Sequence, residues 1–531
     1  MAYAVAMAVC AGVVFGDLYY HDWAFDDEDY VDNAQVAQKD FSYVLSPDKA
    51  WAARPVVHLY FWAVYQIFGD EPGYYHLANV SLHTINALLC SAVVYRMGCG
   101  FWTAVICGVL FLINVGHFRA VYWISGVSLL LGTMSGLGSV YMILNYVNSR
   151  KSAYTVLSVL CYTAAIFSHE AAVVFAFLPA VILLGQRAVR AWPSVLPYVL
   201  IAVIAGVVNT LVYPTPLSQE SDFGFGIHIS SNIARQVFHL FAGGHLDIRQ
   251  WFISQAAEAY TGAGMIAVLL VWAYRYRSAR LAVGWTLVAT LPFLPWPDAP
   301  EVYRYYYIPA TGACILIALV LVWCGRISAA LIGRNYLKAA VPSVLTGVLF
   351  ATSIIPTDCL QAIQLSYSGL YLQREQENPS RALIQYDKAQ LLCPDYRLAS
   401  RWQLNAAMCR ANIGDLEGAY SSTIALIRQY PHYEKIYPYL MQLYSHRLGQ
   451  RQVDSAKSDL TDDPIAKAQQ IKSSLRKSIQ SAYESRRWLE TKSLSFLYLH
   501  YFRDDQQVRA IMTRIQENLR REPNEFGPSI P

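Results

Sequence analysis

Apolar runs follow one another from Tyr3 to Ile355, and this succession constrains the chain more than any other feature of it. A helix that crosses a bilayer needs about 20 mostly apolar residues, and about eleven segments qualify as candidates. They are Tyr3–Gly16, Gly73–Tyr95, Phe101–Val115, Ala120–Tyr146, Tyr154–Phe167, Ala171–Leu184, Val195–Tyr213, Gly262–Tyr274, Leu281–Leu294, Tyr305–Cys324 and Ala339–Ile355. Only 15% of residues are charged, against about a quarter in soluble domains. After about residue 360 Arg, Lys, Asp, Glu and Gln become frequent, which divides the chain into a multi-span part, 1–356, and a polar part, 357–531. The expected fold class is all-α: a polytopic membrane protein followed by a helical domain. The first run begins almost at Met1 without a basic leader or a small-residue cleavage site, so it reads as a retained span.

Charge orients the spans. Alternate connections carry Arg96; Arg150 and Lys151; Arg187 and Arg190; Arg275, Arg277 and Arg280; and Arg326, Arg334 and Lys338, with no Asp or Glu among them. The positive-inside rule makes these cytoplasmic. The acidic residues of the membrane part fall in the other connections, chiefly in the loop 17–72 and at Glu170, Glu220, Asp222, Asp247, Glu258, Asp298 and Glu301. An odd number of spans then puts the C-terminal domain on the non-cytosolic side. The net charge of +4 gives no ground for nucleic-acid binding. Of ten cysteines, Cys359, Cys393 and Cys409 lie beyond the last run, where one pair could be oxidised, and no spacing resembles a metal site.

The polar part repeats itself. Tyr367–Pro394 and Ala406–Pro431 align so that Ala382 matches Ala419 and Pro394 matches Pro431 at the same offset. Each unit reads as helix, turn (Asn378-Pro379 or Gly414-Asp415), second helix and terminating Pro, which resembles the tetratricopeptide repeat (TPR). The stretches from Tyr437 and from Leu494 to Pro523 read as decayed repeats, with Ser455–Asp463 a loop between them. Stacked helix pairs present a concave face that takes a protein or peptide partner; the plainer alternative is a cap on the membrane part.

Candidate chemistry gathers at the non-cytosolic ends of the spans. The densest polar cluster is Trp23–Asn33, with Asp26, Asp27, Glu28, Asp29 and Asp32 interleaved with Phe25, Tyr30 and Val31. Adjacent carboxylates beside a membrane serve as a general base or hold a divalent cation over a phosphate; a solvated acidic loop is the alternative, against which the interleaved aromatics count. Arg54-Pro55, His58 and Phe61, between Trp51 and Trp62, form an amphipathic stretch suited to the interface. His76, Asn79 and His83 open the second run; His117 and Arg119 close the third; His169 and Glu170 follow the fifth; Tyr303, Arg304 and Tyr307 precede the tenth. Each is an ordinary anchor by itself. Together they predict one pocket that suits a phosphate-bearing lipid and an acceptor hydroxyl.

With those motifs in order, the chain resembles the multi-spanning glycosyltransferases of the C fold (GT-C) that use polyprenyl-phosphate sugars, and within them the O-mannosyltransferases carrying TPRs. The segments that carry the likeness are FDDEDYVDN at Phe25–Asn33, RP at Arg54-Pro55, FG and YHLANVSLH between Phe68 and His83, GHFRAVYW at Gly116–Trp123, SHEAAVVF at Ser168–Phe175 and RYYYIPATG at Arg304–Gly312. The resemblance covers essentially the whole chain. It implies inverting transfer of a sugar from a polyprenyl-phosphate donor to a hydroxyl acceptor, with protein glycosylation as the outcome. Asp27 or Asp26 would be the base, and the same pair the metal ligands if there is a metal. Arg304, with His169, Arg119 and Tyr307, would bind the donor phosphate, and Arg54, His76, Asn79, His117 and Glu170 would support the site. The repeat domain would present a protein acceptor. Three positions depart from the pattern: Arg119 and Tyr303 stand where the family usually has Glu, which makes the site less acidic, and His169 stands where it has Lys, which removes a constant positive charge.

Those departures keep a second expectation open, a membrane scaffold or assembly subunit that has lost catalysis and binds partner proteins through its repeats. A transporter is a poorer match, since no predicted span carries the buried Asp or Glu that ion coupling uses. The near absence of Asn-x-Ser/Thr acceptors in the outer connections favours a bacterial inner membrane with a periplasmic C-terminal domain over the endoplasmic reticulum with a lumenal one.

Overall fold

In the computed structural model the described residues are 2–20, 23, 27–45, 54–185, 194–212, 226, 228–243, 255–295, 303–353, 357–374, 376–394, 399–429, 439, 473, 476–477, 479–480, 483–484, 506–511 and 514. Regular structure among them is helical, without strands. Two compact units emerge, Met1–Gln364 and Leu365–Pro531.

In the first unit the helices are α1 (Ala2–Phe15), α2 (Asp27–Lys39), α3 (Pro55–Phe68), α4 (Pro72–Arg96), α5 (Phe101–Leu112), α6 (Phe118–Tyr122), α7 (Val127–Ser149), α8 (Ser152–Ile166), α9 (Val174–Gly185), α10 (Leu196–Val212), α11 (His228–Phe238), α12 (Gln255–Arg275), α13 (Arg277–Thr290), α14 (Ala310–Ile332) and α15 (Leu337–Ser353). Each of the eleven predicted runs is helical over most of its length. Among the described residues four segments are long and apolar enough to cross a membrane: Pro72–Arg96, Ile124–Ser149, Ala256–Arg275 and Ala310–Ile332. Six more apolar helices are shorter, 10–17 residues, and α13 is in neither group. The run expected over Ala120–Tyr146 is broken. A short helix ends at Tyr122, a 3-10 turn occupies Ile124–Gly126, and α7 starts at Val127.

The sides of these helices explain their arrangement. On α1, Met7, Ala11 and Phe15 are buried while Val5, Val9 and Val13 are exposed, four residues apart each time. On α10, Leu196, Leu200, Val203 and Val207 form a similar exposed stripe. Both faces of such helices are apolar, so the buried core has no polar counterface to set against water. Small residues set close contacts: a Cβ on Gly136 would run into the Phe175 ring, which lets α7 and α9 meet.

Helix α16 (Thr357–Arg374) runs across the division at Leu365, and α17 (Pro379–Leu392), α18 (Ala399–Asn412) and α19 (Leu416–Gln429) follow in the second unit. The predicted turns are local chemistry. Asn378 accepts from Arg381 N at 3.1 Å with Pro379 in the first turn of α17. Gly414 takes φ +92° and Asp415 accepts from Gly418 N at 2.8 Å ahead of α19. Ala382 and Ala419, the small residues matched between repeats, are fully buried. Gly369 lies against the Tyr386 ring, and Tyr386 Oη donates to Gln373 Oε1 at 3.0 Å. The expected further repeats from Tyr437 and Leu494 and the loop Ser455–Asp463 lie almost wholly outside the described residues.

Candidate functional site

Helix α2 begins at Asp27, and its first turn carries Asp27, Glu28 and Asp29, where carboxylates complement the unpaired amides of a helix N-terminus. The three have different fates. Asp29 is exposed, as is Asp32 a turn later, whereas Asp27 is completely buried. Asp27 Oδ1 accepts from Ser125 N at 2.8 Å and from Ser125 Oγ at 2.6 Å. The turn bearing Ser125 is gripped from its other side by Asn79 on α4, whose Nδ2 donates to the carbonyls of Trp123 at 3.0 Å and Ile124 at 3.2 Å. Around this junction α2 and α3 pack down through Val31, Ala34, Val57, Phe61 and Val64 onto Tyr75, Ile124 and Val127. Tyr30 stacks on Phe61, with ring centroids 4.8 Å apart. The acidic segment is therefore docked rather than a solvated loop.

A second junction joins α3 to the start of α9. Arg54 Nε donates to Glu170 Oε2 at 3.0 Å and Nη2 to Oε1 at 2.7 Å, a two-pronged pair. Burial acts to raise the Glu170 carboxyl, but the Arg54 charge outweighs it, and with His169 and the hydrogen bonds holds the group well below the usual carboxylate range. His169 Nδ1 accepts from Ala171 N at 3.1 Å and caps the short turn Glu170–Val173. His58, one turn into α3, is lowered to about 4 by burial and then by the Arg54 charge.

A third junction is fully inside the bundle. His83 Nε2 faces the Leu112 carbonyl at 2.9 Å, so it carries the proton and Nδ1 accepts from Tyr307 Oη at 2.7 Å. Asn86 Nδ2 donates to the same Tyr307 oxygen at 3.1 Å. His117, whose Nδ1 lies 2.9 Å from the Phe111 carbonyl, packs its ring on Tyr307 with centroids 4.4 Å apart.

Several sequence-predicted site residues thus occupy one end of the bundle: the end of α5, the starts of α4, α7, α9 and α14, and the docked α2 and α3. Asp27, Asn79 and Ser125 form one contact set; Arg54, Glu170 and His169 another; His83, His117 and Tyr307 a third. His76 is 1% exposed on α4 beside them. The expectation that Tyr307 reaches a donor phosphate is at odds with its burial and with a hydroxyl already shared by His83 and Asn86; it anchors the segment after Arg304 instead. Asp26 and the side chains of Arg119 and Arg304 lie outside the described residues. No group of three or more His, Cys, Asp or Glu side chains converges as a metal site among the described residues.

The sequence reading missed Ser125 and the α11 region. Ser125 has no signal beyond the Gly that follows it and the aromatic pair Tyr122-Trp123 that ends two residues before it. On α11, Arg235 Nε donates to Glu258 Oε2 at 2.9 Å, with side chains 7% and 11% exposed. The signal available was an amphipathic pattern too short for a span in an outer connection. Comparison with known protein families, with curated proteins and with solved structures finds no match to this chain.

Proposed function

We propose that the protein is a membrane glycosyltransferase that moves a sugar from a polyprenyl-phosphate donor to a hydroxyl acceptor, the repeat-like second unit presenting a protein as that acceptor. The observation that carries this reading is the set of contacts that hold Asp27 on the Ser125 turn, Arg54 on Glu170, and the segment after Arg304, through Tyr307, on His83 and Asn86. A carboxylate fixed by the Ser125 turn, with Arg54 and Arg304 carried on other segments of the same unit, has the parts for transfer with inversion. The acceptor oxygen attacks the anomeric carbon, its proton passes to the Asp26 or Asp27 carboxylate, and the bond to phosphate oxygen breaks with its electrons leaving on the lipid phosphate. Arg304 is the cation proposed to hold that phosphate.

Eleven spans and a TPR array complete the proposal. Exposed apolar stripes on α1 and α10 support a lipid setting for the shorter helices too, since water would not tolerate such stripes together. Cys393 is disulfide-bonded, which supports an oxidising, non-cytosolic compartment for the second unit.

The scaffold reading keeps one specific observation in its favour: the described carboxylates Asp27 and Glu170 already accept hydrogen bonds from Ser125 and Arg54. Release of radiolabelled sugar from a panel of polyprenyl-phosphate sugars separates the two. Wild-type membranes should turn over one donor, and Asp26→Asn with Asp27→Asn should abolish it while leaving the protein folded. Absence of turnover with every donor, alongside a stable partner complex indifferent to the double substitution, overturns the enzyme.

A further inference from the structure

Helix α11 buries polar residues where a packed helix ordinarily buries apolar ones. Asn232, Arg235, Gln236 and His239 follow at the i, i+3, i+4, i+7 spacing of one helix face, and they are 2%, 6%, 1% and 6% exposed. His239 opens a π-turn over His239–Gly243, a distortion often associated with functional sites. The helix is pressed onto α12 at Gly262, where a Cβ would strike the Ala234 carbonyl oxygen.

The stripe combines a cancelled charge with spare hydrogen-bonding capacity. Arg235 is matched by Glu258, and His239 Nε2 lies 3.4 Å from the same Glu258 oxygen. Asn232 Nδ2 donates to the Leu294 carbonyl at 3.0 Å. Gln236 Nε2, in contrast, has no hydrogen-bond partner among the described residues although it is buried. A buried amide left unmatched is costly, so it marks a place where something else accepts its hydrogens. A phosphate is a poor candidate, because the Glu258 carboxylate repels it. A neutral ring of hydroxyls, each both donor and acceptor, matches an Arg–Glu pair flanked by an amide and an imidazole.

The location agrees. The His239 ring lies 6.1 Å from that of Tyr306. Tyr306 Cβ lies 3.9 Å from where a Cβ on Gly116 would be, next to His117. The stripe is thereby continuous with the connection that carries Gly116 and His117.

We propose that the α11 stripe, with Gln236 and the Arg235–Glu258 pair at its centre, is a sugar-binding subsite that reads the hydroxyls of the donor's sugar. The inference rests on the transferase reading and adds the group recognised. The test is equilibrium binding of the full-length protein, in detergent or nanodiscs, to polyprenyl-phosphate mannose, polyprenyl-phosphate glucose and bare polyprenyl phosphate. Wild type should favour one sugar-bearing lipid over the bare lipid by tenfold or more. Gln236→Leu should erase that preference while binding the bare lipid as wild type does, and Gln236→Met provides a second, length-matched variant if the first folds poorly. A preference unchanged in both variants means that the amide meets only protein or ordered water, which overturns the subsite while leaving the transferase reading intact. Failure of wild type to bind any of the three lipids overturns both.

Discussion

Asp27 and Ser125 stand 98 residues apart in the chain, yet one carboxylate oxygen of the first accepts both the amide and the hydroxyl of the second. The bond pins the start of α2 to the turn that opens α7. Hydrogen bonds to a charged group contribute about 1.5–3 kcal/mol each. Ser125→Ala should therefore lower stability by about 1–3 kcal/mol. Asp27→Ala should cost more, since it leaves two buried donors unmatched, whereas Asp27→Asn retains an acceptor and should fall between wild type and Ala. Unfolding in detergent followed by tryptophan fluorescence ranks them. Equal stability of wild type and Asp27→Ala would remove the anchoring role.

Acid should weaken the α3 region in two stages. The His58 imidazole titrates at about 4 in the folded protein, against about 6.5 in an unfolded chain. Between those values the unfolded state binds the extra proton, so stability falls as pH drops from about 6.5 to about 4, by at most about 1.4 kcal/mol per pH unit. Glu170 acts later. Its folded value is depressed, so the stability it contributes is present above the ordinary carboxylate range and fades as pH falls below about 4. With the Glu170 side chain 49% exposed, the second effect should be the smaller. Thermal midpoints measured from pH 7 to pH 4 should slope less for His58→Gln than for wild type, and parallel slopes would show that His58 is not the group responsible.

The contact between α11 and α12 has no room to relax. At Gly262 the colliding partner is backbone, the Ala234 carbonyl, not the tip of a side chain. Gly262→Ala should cost about 1–3 kcal/mol through overpacking, and it should part Arg235 from Glu258. Gly264, two residues on, has open space around its Cβ direction, so Gly264→Ala is the control. A thermal midpoint equally altered in both variants would contradict the close approach.

How much of this was legible in the sequence follows from what each signal depends on. Helix positions, the Asn378-Pro379 and Gly414-Asp415 turns, and the buried Ala382 and Ala419 were legible because caps, turns and small-residue spacing act over a few residues. The docking of the acidic segment was legible from its interleaved aromatics, Tyr30 above all. Which carboxylate would be buried was not, because that depends on Ser125, brought in by tertiary packing. Tyr307 read as a ligand because a Tyr near an Arg at a span end looks available; its capture by His83 and Asn86 involves residues more than 200 positions away. The break at 123–126 escaped a hydropathy reading because Trp123, Ile124 and Gly126 are as apolar as their neighbours.

The second unit offers a check on compartment that needs no substrate. Cys393 is disulfide-bonded, while Cys409 is a free thiol, buried on α18 and pushed up to about 12, mainly by burial and then by the nearby Asp387 carboxylate. A buried thiol that stays protonated reacts slowly, since the thiolate is the nucleophile. Native protein treated with a maleimide should therefore leave both cysteines unlabelled, for different reasons. Denaturant alone should expose Cys409 and leave Cys393 blocked, and labelling of Cys393 should require a reductant as well. A cross-link at Cys393 constrains the unfolded chain, so reduction should lower the protein's thermal midpoint, by an amount equivalent to about 2–4 kcal/mol. Labelling of Cys393 in denaturant without reductant, in protein isolated from its native membrane, would show that this unit matures in a reducing compartment and would reverse the proposed topology.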